Sequence, residues 1–225
     1  MVKRGPYAIV DQDMNVIAGR TDKAPAVDKR KQILQAALEE FAQSGYEAAS
    51  TNRIIEDAGV SKGLLFYYFR SKRDLYLVTV EMCVQYFDSR VDREMITMSD
   101  DIMDRVIESG KAKLRIAAEQ PLMFRLVSDA FLEPPGELKS EIQALQSRLY
   151  DKYMPYMTGG VDWSRLKETV DRQTAVSLIL LVSDSIGTKY AKAYRDSGYK
   201  YSSYLEDAIH EIQVYFEMLK HGMYR

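Results

Sequence analysis

TNRIIEDAGVSKGLLFYYF, the segment from Thr51 to Phe69, contains two short helical patterns separated by a turn. The turn falls at Ala58-Gly59-Val60, where the chain must reverse within a few residues and glycine takes a positive φ at little cost. Ser50 or Thr51 offers a hydroxyl to the free backbone N–H groups of the first helix, and Ser61 caps the second in the same way. The segment therefore predicts a helix-turn-helix.

The second helix has two predicted faces. One face is apolar and packs the two helices together. The apolar residues of the whole unit are Ile54, Ile55, Ala58, Val60, Leu65 and Tyr68. The other carries mainly small, polar and basic groups, on Ser61, Lys62, Gly63, Leu64 and Tyr67. A helix with such groups at its N-terminal end fits the major groove of DNA. The alternative at this point is a buried helical hairpin with a solvated basic rim.

Positive charge is concentrated beside this helix. Between Ser61 and Arg73 there are four basic residues and no acidic one. Lys62 and Lys72 flank the helix, where phosphates run on either side of a groove, and Tyr67 has a hydroxyl to donate to a phosphate oxygen. These side chains extend the predicted nucleic-acid contact from the base edges to the backbone.

Residues Lys29 to Leu75 strongly resemble the DNA-binding domain of the TetR (tetracycline-repressor-like) family. The resemblance covers about 47 residues with fixed spacing, so its motifs are specific, but it says little about the other two-thirds of the chain. The matching positions are Phe41 and Gly45 at the end of the first helix, Thr51 at the start of the second, Ala58 to Ser61 at the turn, the aromatic run Phe66 to Phe69, and Ser71-Lys72 before the fourth helix.

The resemblance implies DNA contacts for individual residues. Thr51, Tyr67 and Lys72 resemble the phosphate-contacting positions of the family. The base-facing start of the recognition helix is occupied by Ser61, Lys62, Gly63 and Leu64. Phe66 belongs to the same predicted surface but stands where the family often has tyrosine, so a phosphate-binding hydroxyl is absent there. Leu64 replaces a frequent small or polar residue and is placed to meet a thymine methyl group.

The expected fold is all-α. Residues 1–27 form an N-terminal arm, and residues 28–74 form a three-helix DNA-binding domain of the helix-turn-helix type. Residues 75–225 form a larger helical domain, for which the resemblance implies ligand binding and dimerisation.

Caps and chain breakers set the expected helix bounds. The first helix should run from Asp28 to Ser44, with Gly45 as its C-terminal cap, and Ser71 should cap the fourth. The later helices are expected at Asp100–Glu119, Pro121–Leu132, Leu138 through Tyr153, Trp163 to about Arg195 and Tyr204–His221, with a loop at Pro155–Val161.

The N-terminal arm lies outside the resemblance. Tyr7 to Gly19 has the pattern of a small β-hairpin, but a lone hairpin is marginal in water, so a flexible arm is favoured. The arm is basic, and its added contacts with phosphates or the minor groove are a further hypothesis.

In the TetR family the C-terminal half holds a ligand cavity and a dimer interface built from the last two long helices, and the resemblance implies both here. Two stripes suit close helix pairing: Val176, Leu180, Ser183, Gly187 and Tyr190 on one helix, and Ile209, Ile212, Phe216 and Leu219 on the next. The same stripes would serve equally to close a monomeric core, and the sequence leaves this choice open.

Methionine and tyrosine are concentrated in this half. Nine of eleven methionines and twelve of sixteen tyrosines lie beyond residue 75. Such residues more often form ordinary core. A cavity lined by flexible methionine side chains and scattered tyrosine hydroxyls would, however, also suit an apolar ligand with a few polar groups. The candidate ligand-binding residues are Met82, Tyr86, Met103, Ile107, Phe124, Phe131, Tyr150 and Trp163, with Arg125 as the candidate partner of an anionic group.

Composition narrows the class of protein. The formal net charge of −2 hides 12 basic and 10 acidic residues in positions 1–75 against 19 and 23 in the remainder, so the DNA-binding end is the basic one. No apolar run approaches the roughly 18 residues of a membrane span, and no secretory signal is visible. The single cysteine, Cys83, excludes an internal disulfide framework. These features indicate a cytoplasmic protein.

No catalytic constellation is recognisable in the sequence. His210 and His221 have no metal-ligand companion at i+3 or i+4, and there is no glycine-rich phosphate loop. An enzyme is therefore the least favoured class, and neither a metal nor a cofactor is expected.

The sequence predicts a homodimeric transcriptional regulator, most simply a repressor that a small, largely apolar effector releases from a palindromic DNA operator. The alternative is a DNA-binding regulator controlled by a protein partner or by no ligand at all. The identity of the effector, the operator sequence, and the choice between induction and co-repression stay open.

Overall fold

The computed structural model describes residues 25–94, 99–197 and 201–225. The described part contains nine α-helices: α1 (Pro25–Ala48), α2 (Thr51–Asp57), α3 (Lys62–Tyr68), α4 (Lys72–Glu94), α5 (Ile102–Glu119), α6 (Pro121–Leu132), α7 (Lys139–Thr158), α8 (Arg172–Ser197) and α9 (Tyr201–Met223). Short 3₁₀ turns occur at Gly136–Leu138 and Trp163–Arg165. No β-strand forms within these ranges, where an isolated bridge pairs Leu166 with Tyr224. The all-α prediction is confirmed.

The chain divides into two compact units. The first contains the described residues up to Ser89 together with Leu122–Gln146, and the second contains those of Arg90–Pro121 together with Ser147–Arg225. The predicted hairpin or flexible arm falls almost entirely on residues 1–24, which lie outside the described residues. None of the described helices is both long enough and apolar enough to cross a membrane.

The first unit is built on the apolar face of α1. Leu34, Leu38 and Phe41 are buried, at the helical spacing that the sequence predicts, and α1 packs against both α2 and α3. Each of those short helices contributes a fully buried side chain, Ile54 from α2 and Leu65 from α3. The three helices therefore share one small core.

Gly45 interrupts α1 where the sequence predicts the end of the first helix. Its φ of 70° and ψ of 173° lie in a region that is open almost only to glycine, and a short helical turn to Ala48 follows. The start of α1 differs from the prediction, because the helix begins at Pro25 rather than Asp28. Proline is well tolerated in the first turn, where its missing N–H would have no helical partner.

Two other predicted boundaries are wrong. The loop expected at Pro155–Val161 begins later, because α7 carries Pro155 inside its last turn and ends at Thr158. The Pro155 carbonyl accepts from Gly159 N at 2.8 Å and closes that turn, so the proline removes a backbone donor only near the helix end.

The helix expected from Trp163 starts instead at Arg172. The Asp171 carboxylate accepts from Thr174 N at 2.8 Å and caps α8. The preceding residues are held against the chain end, since Lys167 N donates to Met223 O at 2.9 Å. The second contact joins residues distant in sequence, which periodicity does not detect.

The second unit has its own hydrophobic core. Its buried members are Ile102, Met103, Leu166, Ala175, Ile179, Phe216 and Met223. Helix α8 packs along α9, and both contact α5. The predicted pairing stripes face this core, since Ile209 and Phe216 are buried and Val176, Ile212 and Leu219 pack beside it. Most of the stripes' apolar residues thus contribute to the core of the chain itself.

Candidate nucleic-acid interface

Helix α3 presents the face that the sequence predicts. Leu65 is fully buried beneath it, whereas Ser61, Lys62 and Gly63 are exposed and Tyr67 is 79% exposed. Leu64 is half-buried and Phe66 is exposed, at 37%. The Ser61 hydroxyl accepts from Leu64 N at 3.2 Å and fixes the start of the helix. The buried side of α3 therefore holds the helix in place and leaves its N-terminal end free for a groove.

The turn before α3 depends on Gly59. Its φ of 57° is left-handed, and its N–H donates to Glu56 O at 3.0 Å. Val60 N donates to Ile55 O at 3.1 Å in the same turn. This tight reversal sets α3 against α2, as the helix-turn-helix pattern requires.

Ser50, rather than Thr51, caps α2. Its hydroxyl accepts from Arg53 N, and its own N–H donates to the buried Glu40 carboxylate at 2.7 Å. Arg53 Nε lies 3.0 and 2.9 Å from the two Glu40 oxygens, and Arg53 Nη2 lies 3.2 Å from Ala48 O. This network fixes the start of α2 on α1. Sequence reasoning missed it, although an acidic residue on an apolar helix stripe is a signal for a buried ion pair.

The network gives the DNA-binding unit a defined pH response. Hydrogen bonding by Arg53 holds the pKa of the Glu40 carboxyl below its ordinary value, against the opposing effect of burial. Because the folded-state pKa is the lower one, the stabilisation is complete above about pH 5 and is lost as the pH falls through the folded-state value.

Glu40→Gln should destabilise the protein at pH 7 by about 1–2 kcal/mol, since a charged hydrogen-bond pair is lost but Arg53 is partly solvated. The difference from wild type should shrink at pH 3, as measured by urea unfolding at both values. Glu39→Gln on the exposed side of α1 is the matched control and should be nearly neutral. An equal deficit at both pH values would show that the Glu40 charge contributes nothing.

Thr51 and Lys72 sit at two neighbouring helix starts. Thr51 is half-buried as the first residue of α2, and Lys72 is half-buried as the first residue of α4. Lys72 Nζ donates to Glu47 O at 3.0 Å and lies 5.0 Å from the centre of the Tyr46 ring. The ammonium group is thus oriented before any phosphate is bound.

A turn far along the chain anchors this end of the unit. Tyr46 donates its hydroxyl hydrogen to Glu137, and Arg73 pairs with Glu141. Tyr46 also packs edge-on against Tyr76, with 4.9 Å between ring centres. The partners are 91 and 68 residues apart, so no local pattern could predict them.

Comparison with known proteins identifies the family. A family model described as bacterial regulatory proteins, tetR family, matches residues 33–79. The HTH-type transcriptional activator FasR of Mycolicibacterium smegmatis is 38% identical over 170 residues, which cover 74% of this chain and 74% of FasR. The chain belongs to the TetR family. It is therefore a DNA-binding transcriptional regulator and not an enzyme.

Two further TetR comparisons extend beyond the DNA-binding segment. The fatty acid metabolism regulator protein of Bacillus subtilis is 24% identical over 168 residues, covering 72% of this chain and 83% of the relative. The structure of the fatty acid degradation regulator FadR from Bacillus halodurans aligns with a TM-score of 0.60 at 18% identity. It covers 85% of this chain and 96% of the other, which shows that the TetR fold extends over both halves.

The predicted ligand-binding residues of this TetR regulator are divided between the units. The first unit holds Met82, Tyr86, Phe124, Arg125 and Phe131, and the second holds Met103, Ile107, Tyr150 and Trp163. Met82, Tyr86 and Met103 are buried, Tyr150 is exposed and the others are half-buried. Ile107 and Trp163 pack on the core that contains Met103, whereas Arg125 lies 3.8 Å from Asp129. A ligand role for each of them stays a prediction.

Cys83 is fully buried in α4. Burial raises the pKa of its thiol far above the ordinary value. A redox switch needs an accessible thiolate, so the structure favours a packing role for this residue.

Proposed function

We propose that this TetR-family protein is a homodimeric regulator that binds a palindromic operator through α3 and releases it when a small, largely apolar effector binds. The observation that carries the proposal is the packing of α3. Its Leu65 is buried, whereas Ser61, Lys62, Gly63 and Tyr67 are open to solvent. In this proposal, residues 28–74 are the DNA-binding domain and residues 75–225 the regulatory domain. The setting is the cytoplasm.

The proposed contacts divide into two kinds. Lys72, Tyr67 and Thr51 bind phosphates, which positions α3 without reading sequence. The start of α3, from Ser61 to Leu64, meets the base edges, and Phe66 adds an apolar contact at the rim. Leu64 favours a thymine methyl and Lys62 favours guanine acceptors.

Dimerisation rests on an apolar face that the core leaves uncovered. Leu178 and Leu181 on α8 and Val214, Tyr215 and Met218 on α9 are exposed, and the two helices pack against each other. We call these five residues the α8–α9 face. In the proposal, two copies pair isologously through this face, and their two α3 helices bind operator half-sites about 34–36 Å apart.

The effector is proposed to be a fatty acid or a derivative of one. Support comes from the named roles of the Bacillus subtilis and Bacillus halodurans proteins in fatty acid metabolism and degradation. An effector weakens DNA binding only if it binds the released conformation better, and the coupling free energy is the same in both directions.

The direction of regulation has a second candidate, because FasR of Mycolicibacterium smegmatis is named an activator. Genomic footprinting with the purified protein, with and without cell extract, locates the operator and reveals whether extract displaces the protein. Transcription in vitro from that promoter then decides the sign. Lower transcript with added protein supports repression, and higher transcript favours activation. Displacement by extract that persists after protease treatment supports a small effector over a protein partner.

Lys72→Ala should weaken binding to operator and to random DNA alike, and should reduce the salt slope of log K by about one, because one phosphate contact is lost. Tyr67→Phe should have a milder effect in the same direction. The measurement is fluorescence anisotropy on both DNAs between low and moderate salt. Lys139→Ala removes an exposed charge at the start of α7 and should leave the slope unchanged.

Lys62→Ala and Leu64→Ala should instead change which base pairs the protein prefers. Selection from a randomised operator library reads this directly. An unaltered preference in both variants would remove these residues from base recognition.

A further inference from the structure

Both contacts that orient Lys72 come from one short stretch of the chain, residues 46–48. The Lys72 ammonium lies 5.0 Å from the centre of the Tyr46 ring and donates to Glu47 O at 3.0 Å. This stretch follows the break at Gly45, whose φ of 70° interrupts α1. The regular part of α1 therefore does not fix the position of residues 46–48, and contacts with other parts of the chain have to hold them.

A side chain at each end of this stretch supplies such a contact. At one end, Arg53 Nη2 donates to Ala48 O at 3.2 Å. At the other end, the Tyr46 hydroxyl donates to the Glu137 carboxylate, 91 residues further along the chain. Desolvation and this carboxylate both raise the pKa of the Tyr46 hydroxyl far above its ordinary value, so the hydroxyl keeps its proton and remains the donor.

The backbone at Glu137 is itself well defined. Glu137 is the middle residue of the 3₁₀ turn Gly136–Leu138, which Leu138 N closes by donating to Pro135 O at 2.8 Å. Leu138 is fully buried and anchors the turn in the first unit. Glu137, in contrast, is exposed. A substitution at this position therefore removes the hydrogen bond to Tyr46 without opening a cavity in the core.

The tether matters for Lys72 because a lysine side chain is flexible. When such a side chain binds a phosphate, its rotatable bonds become ordered, and a side chain that is already oriented has less freedom to lose. The Tyr46 ring attracts the cation and Glu47 O accepts one of its three donors, which leaves other donors for a phosphate. Both partners depend on the position of residues 46–48.

We infer that Glu137 is a positioning residue for DNA binding, which acts through Tyr46 on the phosphate contact of Lys72. This role rests on the proposed function, in which Lys72 binds phosphate. The Glu137 carboxylate has two effects of opposite sign. Its charge repels DNA phosphates, as any acidic group of a DNA-binding protein does, whereas its hydrogen bond holds the residues that orient Lys72.

The test is a double-mutant cycle between Glu137 and Lys72 in the full-length protein. Fluorescence anisotropy measures affinity for the footprinted operator and for random DNA. Glu137→Ala should weaken binding to both DNAs by about three- to tenfold, the cost of ordering one flexible side chain on binding. In the Lys72→Ala background the same substitution should weaken binding by less than about twofold, because the side chain that it positions is gone. A substitution that only disturbed the fold would weaken binding in both backgrounds.

Two variants separate the hydrogen bond from the charge. Glu137→Gln removes the charge but keeps an oxygen that accepts from the Tyr46 hydroxyl, so its affinity should be within about twofold of wild type or higher. Tyr46→Phe keeps the ring and removes the hydroxyl, and it should lose as much affinity as Glu137→Ala. Combining Tyr46→Phe with Glu137→Ala should cause no larger loss than either alone, because both remove the same hydrogen bond.

Three results would each overturn the positioning role. They are wild-type affinity in Glu137→Ala, a loss that persists undiminished in the Lys72→Ala background, and a loss in Glu137→Gln equal to that in Glu137→Ala.

The Lys72→Ala single variant separates this role from the proposed function. If Lys72→Ala weakens binding and Glu137→Ala does not, only the positioning role of Glu137 is rejected. If Lys72→Ala binds as wild type, the proposed phosphate contact is rejected and the role of Glu137 with it. Absence of sequence-specific DNA binding by wild type rejects the proposed function itself.

Discussion

Leu181→Asp is expected to convert the protein from a dimer to a monomer and to reduce operator affinity by about 10²–10⁴-fold, the usual range of the gain from linking two binding modules. Leu181 belongs to the α8–α9 face and is 63% exposed. Two-fold pairing places the substitution on both sides of the interface, so two carboxylates are desolvated against apolar surface. Analytical ultracentrifugation and operator titration measure the two effects on one sample.

The monomer should remain folded, because Leu181 is largely solvated in the single chain and contributes little to its core. Unchanged circular dichroism establishes this. Tyr156→Asp is the matched control, since Tyr156 is an exposed aromatic residue on α7 and lies outside the α8–α9 face. If Leu181→Asp still sediments as a dimer with wild-type operator affinity, the α8–α9 face is not the dimer interface.

The DNA-binding helices were predictable because their determinants are local. Ser61 caps α3, and Gly59 permits the left-handed turn. Leu65 is the buried apolar residue of α3, and exposed residues of the same helix lie on its other side. All of these lie within a few residues of one another, so each choice is visible in the sequence. The family resemblance then added roles that periodicity does not contain.

The C-terminal half was less predictable because periodicity identifies apolar stripes but not what covers them. Phe216 is fully buried, whereas Met218, two positions along the same helix, is 65% exposed. The sequence contains both as apolar residues of α9. The sequence placed Phe216, but not Met218, on a pairing stripe, and the packing of α8 and α5 on α9 makes that stripe part of the chain's own core.

Long-range polar contacts were also out of reach. The sequence shows Tyr46 as one of several tyrosines, and its hydrogen bond to Glu137 joins residues 91 positions apart. The residues before α8 are likewise held by a long-range contact, in which Lys167 N donates to Met223 O. Such contacts are set by tertiary structure and leave no periodic signal.

Arg105→Met is expected to produce a large loss of stability in the second unit. Arg105 is 4% exposed, and its Nη1 lies 2.6 Å from Gly159 O and 2.7 Å from Tyr156 O. A longer contact reaches Met157 O, and Nε donates to Ser99 O. These carbonyls include the end of α7, where the last helical carbonyls have no intrahelical donor.

Methionine fills similar volume but donates no hydrogen bond, so one buried and three part-buried carbonyls lose their donor together. At about 1–3 kcal/mol for each unsatisfied buried group, and allowing for water to replace some contacts, the expected loss is about 3–5 kcal/mol. Urea unfolding measures it, and hydrogen exchange should accelerate first at the last turn of α7. Lys111→Met, an exposed change on the same helix, should stay within about 0.5 kcal/mol of wild type.

Arg105→Lys separates the charge from the geometry. Lysine keeps the favourable position of a cation at a helix C-terminus, but its single ammonium cannot reproduce the planar fork that reaches Ser99 and α7 at once. Its stability should therefore fall between those of wild type and Arg105→Met. A lysine variant as stable as wild type would mean that charge alone suffices. A methionine variant within 1 kcal/mol of wild type would mean that other donors replace the guanidinium, because carbonyls left dry and unpaired would cost more than that.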